Sequence, residues 1–224
     1  MTELPRIERP RILVTRKLLP EIEGRMAQLF DARFNADDHA MPADEMLAAM
    51  QGCDVLVPTV TDRIDAALIN AMPDTVRLIA QFGAGVNNID LPAARARGIM
   101  VTNTPGVFTE DTADLTMALI LSVPRRLGEG EKLMRTGKWA GWRPGDSEGC
   151  LLGHRIEGKT LGIIGFGRIG EAVATRARAF GMNIIYNKRK RLPPSVEEKL
   201  GVTYEGELDR LIARSDIISL HCPL

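Results

Sequence analysis

One stretch constrains this chain more than any other: Gly158-Lys159-Thr160-Leu161-Gly162-Ile163-Ile164-Gly165-Phe166-Gly167-Arg168-Ile169-Gly170, followed by an Ala-rich helical pattern that ends near Phe180-Gly181. An apolar strand running into three glycines spaced GxGxxG and then into a helix divides the work among them. Gly165 permits the tight turn out of the strand, Gly167 lets backbone approach a pyrophosphate, and Gly170 lets helix and strand pack closely. The helix N-terminus adds free N–H groups and partial positive charge for an anion. Taken alone, such a turn is equally a tight strand-to-helix connection. A second apolar run, Asn183 to Tyr186, arrives at the distance a dinucleotide-binding unit requires and favours that reading.

The end of that second run qualifies the cofactor. Tyr186-Asn187-Lys188-Arg189-Lys190-Arg191 stands where an NAD-binding unit places an acid on the ribose 2′-hydroxyl, about 20 residues past the loop. Consecutive cations replace the acid and suit a 2′-phosphate, so NADP(H) is the expected cofactor, with NAD(H) second. Lys188 and Arg189 are the first candidates for the phosphate, with Lys190 and Arg191 at the rim. The bland alternative is a solvated basic turn. The same basic end argues against an S-adenosylmethionine methyltransferase, whose adenosine ribose favours an acid there.

Short apolar runs alternating with helical periodicity extend through the first half. Ile12 to Val14, Val55 to Val57, Leu78 to Phe82 and Met100 to Val101 predict buried strands; Pro20 to Phe30, Pro42 to Met50 and Asp62 to Met72 predict helices, the last with Asp62 as N-cap. This alternation predicts an α/β fold with parallel sheets covered on both faces. Glu110 to Arg126 and Gly128 to Thr136 predict long helices interrupted at Pro124. A Gly- and Pro-punctuated loop holding Trp139 and Trp142 follows. Beyond the glycine loop, Glu205 to Arg214 predicts a helix and Asp216 to His221 a strand.

Composition narrows the function classes. The 224 residues carry 29 basic and 29 acidic side chains, a balance that gives no basic surface for nucleic acid. Cys53, Cys150 and Cys222 form no CxxC pair, which fits neither a disulfide framework nor a zinc cluster and suits a reducing, cytoplasmic setting. The longest apolar stretch, Leu115 to Val123, is broken by Thr116 and Ser122 and is too short to span a membrane.

Four segments taken together give the chain a family resemblance: Phe82-Gly83-Ala84-Gly85-Val86-Asn87-Asn88-Ile89-Asp90, Asn103-Thr104-Pro105-Gly106, Thr112-Ala113-Asp114, and the glycine loop. On these the chain resembles the D-2-hydroxyacid dehydrogenases, nearest their glyoxylate/hydroxypyruvate reductase branch, over its whole length. Asp114 stands where many relatives have Glu. The resemblance implies a flavodoxin-like substrate domain over residues 1–107. It also implies a partial Rossmann cofactor domain, a doubly wound parallel sheet, over residues 108–224 that includes the dimerisation helices. It implies NAD(P)H-dependent reduction of a small 2-oxo acid and a homodimer.

By the same resemblance Ala84 and Gly85 belong to the loop whose backbone meets the substrate carboxylate, a role small residues suit because they expose N–H groups. The plain reading of that loop is a turn into a helix capped by Asp90, and both can hold. Arg168 and Ile169 correspond to a pyrophosphate-contacting pair. Cys222 and Pro223 correspond to a strand-end segment along the cofactor, with a buried structural thiol as the alternative for Cys222. Trp142 corresponds to a tryptophan that reaches into the partner subunit's site, with a packing anchor as the alternative.

The family's catalytic arginine, glutamate and histidine fall after the strand on which this sequence stops, and His39, His154 and His221 match none of them. The chain alone is therefore expected to be inactive, with a sheet of order 3-2-1-4-5-6 stopping at its fourth strand. Ile217, Ile218 and Leu220 are expected on an open edge, making the chain marginal or partner-dependent. The competing class is a non-catalytic NAD(P)-sensing binding module of the same fold.

Overall fold

The computed structural model describes residues 9–139, 141 and 151–222. The chain divides into two compact units, Met1–Val107 and Phe108–Leu224.

In the first unit the elements alternate without exception: β1 (Arg11–Val14), α1 (Pro20–Leu29), β2 (Asp31–Phe34), α2 (Ala43–Ala49), β3 (Val55–Val57), α3 (Ala66–Ala71), β4 (Leu78–Ala80), α4 (Leu91–Ala96) and β5 (Met100–Thr102). All strand pairs are parallel and the order is β2-β1-β3-β4-β5, the flavodoxin-like 2-1-3-4-5 arrangement. Two cores cover the faces. Leu13, Leu56 and Ile79 pack with Met46, Met50, Leu68 and Ile69 on one side; Ile12, Val14 and Val57 pack with Ile22, Met26 and Phe30 of α1 and the residue after it on the other. Each fully buried Leu or Ile contributes about 1.5–3 kcal/mol.

One helix start differs from expectation. Asp65, not Asp62, caps α3, its carboxylate accepting Leu68 N–H at 3.0 Å. Asp62 is buried and accepts from Thr15 Oγ1 at 2.6 Å and from Thr59 N at 2.7 Å, tying the end of β1 to the end of β3. The helix begins three residues later, with the Asp62 carboxylate turned to Thr15 and Thr59 through Oδ2.

The second unit opens with α5 (Thr109–Ser122) and α6 (Leu127–Arg135), separated at Pro124 and by Arg126 in the left-handed conformation. The sheet follows: β6 (Thr160–Ile164), α7 (Arg168–Ala179), β7 (Asn183–Asn187), α8 (Pro194–Leu200), β8 (Val202–Tyr204), α9 (Leu208–Arg214) and β9 (Ile217–Leu220). Its order, β8-β7-β6-β9, is wholly parallel and corresponds to 3-2-1-4. Ala113, Met117 and Ile120 of α5 pack with Val173, Ala174 and Ala177 of α7 over Leu161, Ile163 and Ile184. Arg176 adds hydrogen bonds to Glu110 at 2.7 Å and Asp114 at 2.6 Å. On the other face α9 presses onto β6 at Gly162, where a Cβ would lie 2.1 Å from Ser215 Oγ and 2.7 Å from Leu211 Cδ2.

On β9 the side chains alternate. Ile217 packs against the core, whereas Ile218 and Leu220 are exposed along the open edge. Among the described residues no helix is long and apolar enough to cross a membrane.

Candidate dinucleotide site

The site is assembled where β6, β7 and β9 end on the same side of the second sheet. A cavity of about 1000 Å³ lies elsewhere in this unit, between α5 and β9, and its lining is that of a sheet edge. The cavity at the strand ends is smaller, about 640 Å³, and is lined by Ile164, Gly165, Phe166, Gly167, Asn187, Lys188, Arg189, Lys190, His221 and Cys222. It brings the glycine loop, the basic turn and the end of the fourth strand together, which is where open α/β sheets bind ligands.

The three glycines have different surroundings. Gly165 has φ +88, and a Cβ on it would lie 2.5 Å from Cys222 N and from His221 C and O, so the loop lies directly against the backbone leaving β9. Gly165 N donates to Asn187 O at 3.0 Å, which fixes the loop to β7 as well. At Gly167 a Cβ would meet nothing within 4 Å; the space in front of it is open to a ligand. At Gly170 a Cβ would lie 2.7 Å from Gly165 O, the close approach of helix to loop.

Gly167 is the N-cap of α7 and offers no side-chain cap; the first helical bond runs from Glu171 N to Gly167 O at 2.9 Å. The N–H groups of Arg168, Ile169 and Gly170 thus face the cavity end of a 12-residue helix without a capping side chain, the arrangement that suits a phosphate. Arg168 is exposed and Ile169 half-buried.

Lys188 is half-buried and Arg189 and Lys190 are exposed, and among the described residues none of the three forms an ion pair. Arg191, expected at the rim with Lys190, is turned away into a two-point contact with Glu197, at 2.8 and 2.7 Å. That pairing is invisible in a run of four cations, because the partner comes from the following helix. Cys222 is exposed beside the loop, so the buried-thiol alternative does not hold. His221 lies one residue past β9 and shares a hydrogen bond of 2.8 Å with Ser219, and burial pushes its pKa below the usual imidazole value. Pro223 and Trp142 lie outside the described residues.

In the first unit the Ala84-Gly85 loop has its carbonyls engaged. Gly83 O accepts Thr104 N at 3.0 Å, Ala84 O accepts Asn103 Nδ2 at 2.7 Å and Gly85 O accepts Gln81 Nε2 at 3.2 Å. Ala84 and Gly85 are exposed, and their N–H groups donate to no described residue. Asp90 caps α4, accepting Ala93 N at 2.9 Å, so the turn is both a helix start and a row of available donors. Beneath it Gln81 Nε2 donates to Asn88 Oδ1 at 2.9 Å and Asn88 Nδ2 donates to Thr59 O and Asp62 O at 3.0 Å. Sequence reading missed this support, since isolated amides carry no periodic signal.

Comparison with known proteins agrees with this fold. Residues 117–224 match the D-isomer specific 2-hydroxyacid dehydrogenase, NAD binding domain family. A glyoxylate reductase from Thermococcus litoralis is 43% identical over 221 residues, covering 96% of this chain and 64% of the relative. Residues 117–224 are a D-isomer-specific 2-hydroxyacid dehydrogenase NAD-binding domain. Another relative in the family, a glycerate dehydrogenase from Hyphomicrobium methylovorum, is 36% identical, covering 97% of this chain and 66% of its own length. Among solved structures, a D-isomer specific 2-hydroxyacid dehydrogenase from Polaromonas sp. superposes with a TM-score of 0.85 at 38% identity over 96% of this chain and 66% of its own. The chain thus spans just under two thirds of the length of these dehydrogenases, and its second unit carries their Rossmann cofactor fold.

Proposed function

We propose that this chain supplies the cofactor-binding unit and the carboxylate-binding loop of a dehydrogenase that reduces a small 2-oxo acid of the glyoxylate or hydroxypyruvate type, with NADPH preferred over NADH. The observation that carries the cofactor reading is the cavity in which the glycine loop and the α7 N-terminus stand beside Lys188, Arg189 and Lys190. The residues fit such a group. Gly167 leaves room for a pyrophosphate, and no acid stands at the end of β7 to accept a ribose hydroxyl.

The residues of the chain then act as follows. The N–H groups of Arg168, Ile169 and Gly170 hold the pyrophosphate, and Lys188 and Arg189 pair with the 2′-phosphate. Exposed Cys222 and the following Pro223 border the cofactor. In the first unit, the substrate domain of this reading, the N–H groups of Ala84 and Gly85 orient the substrate carboxylate. Bound NADPH supplies the hydride equivalent that, with one proton, converts the 2-oxo acid to the 2-hydroxy acid. Burial pushes the His221 pKa below the usual imidazole value, which disfavours the protonated form that would supply that proton. We propose that the 224-residue chain, in which none of His39, His154 and His221 matches the catalytic histidine that the resemblance implies, binds cofactor without turning substrate over.

A homodimer through α5 and α6 completes the reading, supported by the exposed apolar side chains Leu115, Leu119, Val123, Leu127 and Met134. Trp142 of one subunit would serve the site of the other. The compartment proposed is the cytoplasm, on the free thiols of Cys53 and Cys222.

Titrating the chain with NADPH and with NADH, followed by the change in nicotinamide fluorescence, tests the cofactor reading. NADPH should bind at least about tenfold more tightly, since one charged hydrogen bond is worth about 1.5–3 kcal/mol. Equal affinities, or a preference that survives joint replacement of Lys188 and Arg189 by alanine, overturns it. Turnover of glyoxylate with NADPH by the chain alone would overturn the assignment of inactivity.

A further inference from the structure

The turn that presents Lys188, Arg189 and Lys190 is held from outside itself. At its start, Asn187 Nδ2 donates to Glu205 O at 2.8 Å and Tyr204 Oη donates to Lys188 O at 3.3 Å. At its end, Arg191 Nε and Nη2 grip both oxygens of Glu197, and the guanidinium carbon lies 5.5 Å from the centre of the Tyr204 ring. Glu197 is buried and also accepts from Tyr186 Oη at 2.7 Å; that hydroxyl in turn accepts Leu192 N at 3.0 Å. The Tyr186 ring is fully buried, 4.4 Å from the ring of Phe166 in the glycine loop. One buried hub therefore touches the glycine loop, the basic turn and α8.

A strand-to-helix turn has no need of a buried carboxylate, whose desolvation is offset only when its oxygens are fully bonded. Here they are, and one of the bonds takes an arginine away from the cavity. We propose that Tyr186, Glu197 and Arg191 are positioning residues for cofactor discrimination: Glu197 withdraws Arg191 from the phosphate and uses it as a strap that holds the Lys188–Lys190 arch in its receiving shape. This rests on the reading of that arch as the 2′-phosphate site. An arch ordered before binding loses less conformational freedom when the phosphate arrives.

The test is the pair of affinities, NADPH and NADH, measured on the 224-residue chain and on Tyr186→Phe, Glu197→Gln and Arg191→Met. Each variant should lose about fivefold in NADPH affinity while NADH stays within about twofold, because NADH makes no use of the arch. The sign for Glu197→Gln is decisive. If Arg191 were a phosphate ligand held back by Glu197, freeing it would tighten NADPH; unchanged or tighter binding overturns the proposal. Tyr186→Phe removes one oxygen and no charge, so it decides the matter if the charged variants fold poorly. Equal loss of both cofactors in Tyr186→Phe also overturns the proposal. A wild-type chain with no NADPH preference overturns the phosphate reading and this proposal with it, whereas a wild-type preference that all three variants retain overturns this proposal alone.

Discussion

The three glycines of the cofactor loop should respond to alanine in three distinct ways. At Gly165 the left-handed backbone costs a side chain about 1–2 kcal/mol, and the new methyl would sit 2.5 Å from the backbone of His221 and Cys222. Backbone cannot rotate out of the way as a side chain can, and forced overpacking adds about 1–3 kcal/mol. The total, about 2–5 kcal/mol, is a large part of a typical net stability of about 5–15 kcal/mol. At about 2–4 °C per kcal/mol it predicts a fall in Tm of about 4–20 °C. Gly170 has no such backbone penalty and would gain about 1 kcal/mol of helix propensity, set against a contact of 2.7 Å with Gly165 O, so a small loss is expected. Gly167 has an extended backbone, with φ −100, and open space before it. Alanine there should leave Tm unchanged and weaken NADPH at least about tenfold, because the methyl occupies the approach of the pyrophosphate. Thermal denaturation and cofactor titration of the three variants form the assay. A Gly167→Ala chain that melts as early as Gly165→Ala, or that binds NADPH normally, would refute the division of roles.

Other sites give further expected outcomes. Asp62→Ala removes the oxygen to which Thr15 Oγ1 and Thr59 N both donate, and should cost about 1–3 kcal/mol, read as a lower denaturant midpoint. Arg191 and Tyr186 hold Glu197 down to about 2, so its contribution to stability is complete above the ordinary glutamate range and is lost as pH falls through about 2. Acid unfolding of Glu197→Gln followed by tyrosine fluorescence should lack that final step. Burial and Glu197 push Tyr186 up to about 12; its stabilising contribution is present below the ordinary phenol range and disappears as pH rises through about 12, which phenolate absorbance would follow. Arg176→Met, losing two bridges on a side chain that is 26% exposed, should cost no more than about 1 kcal/mol by thermal melting.

The central strands were legible because burial on both faces leaves an uninterrupted apolar run, as in Ile12 to Val14 and Leu161 to Ile164. Of the edge strands, β5 and β9 were legible in Met100 to Val101 and Asp216 to His221, but β2 and β8 were not. β2 reads Asp31-Ala32-Arg33-Phe34, with only Ala32 and Phe34 turned inward, and β8 is three residues long, so neither offers enough alternation to stand out. α8 carried a usable signal in Pro193-Pro194 at its first turn. The glycine loop was readable because its function depends on backbone and glycine is how sequence records backbone. The roles of Glu197 and Asp62 depend on partners from other elements, Tyr186 and Arg191 for one and Thr15 and Thr59 for the other, and no local pattern encodes those meetings.

Gly165 is seated against the peptide between His221 and Cys222, and that contact predicts a site completed late in folding. The floor of the loop comes from β9, which is separated from its neighbour β6 in sequence by α7, β7, α8, β8 and α9; Lys159 and Asp216, bonded at the foot of the pair, are 57 residues apart in sequence. Parallel closure over such a span comes late because the intervening chain must be ordered before the contact rewards it. Recovery of NADPH binding during refolding should therefore lag behind recovery of helical signal, and the cofactor would act as a reporter of the last strand to arrive.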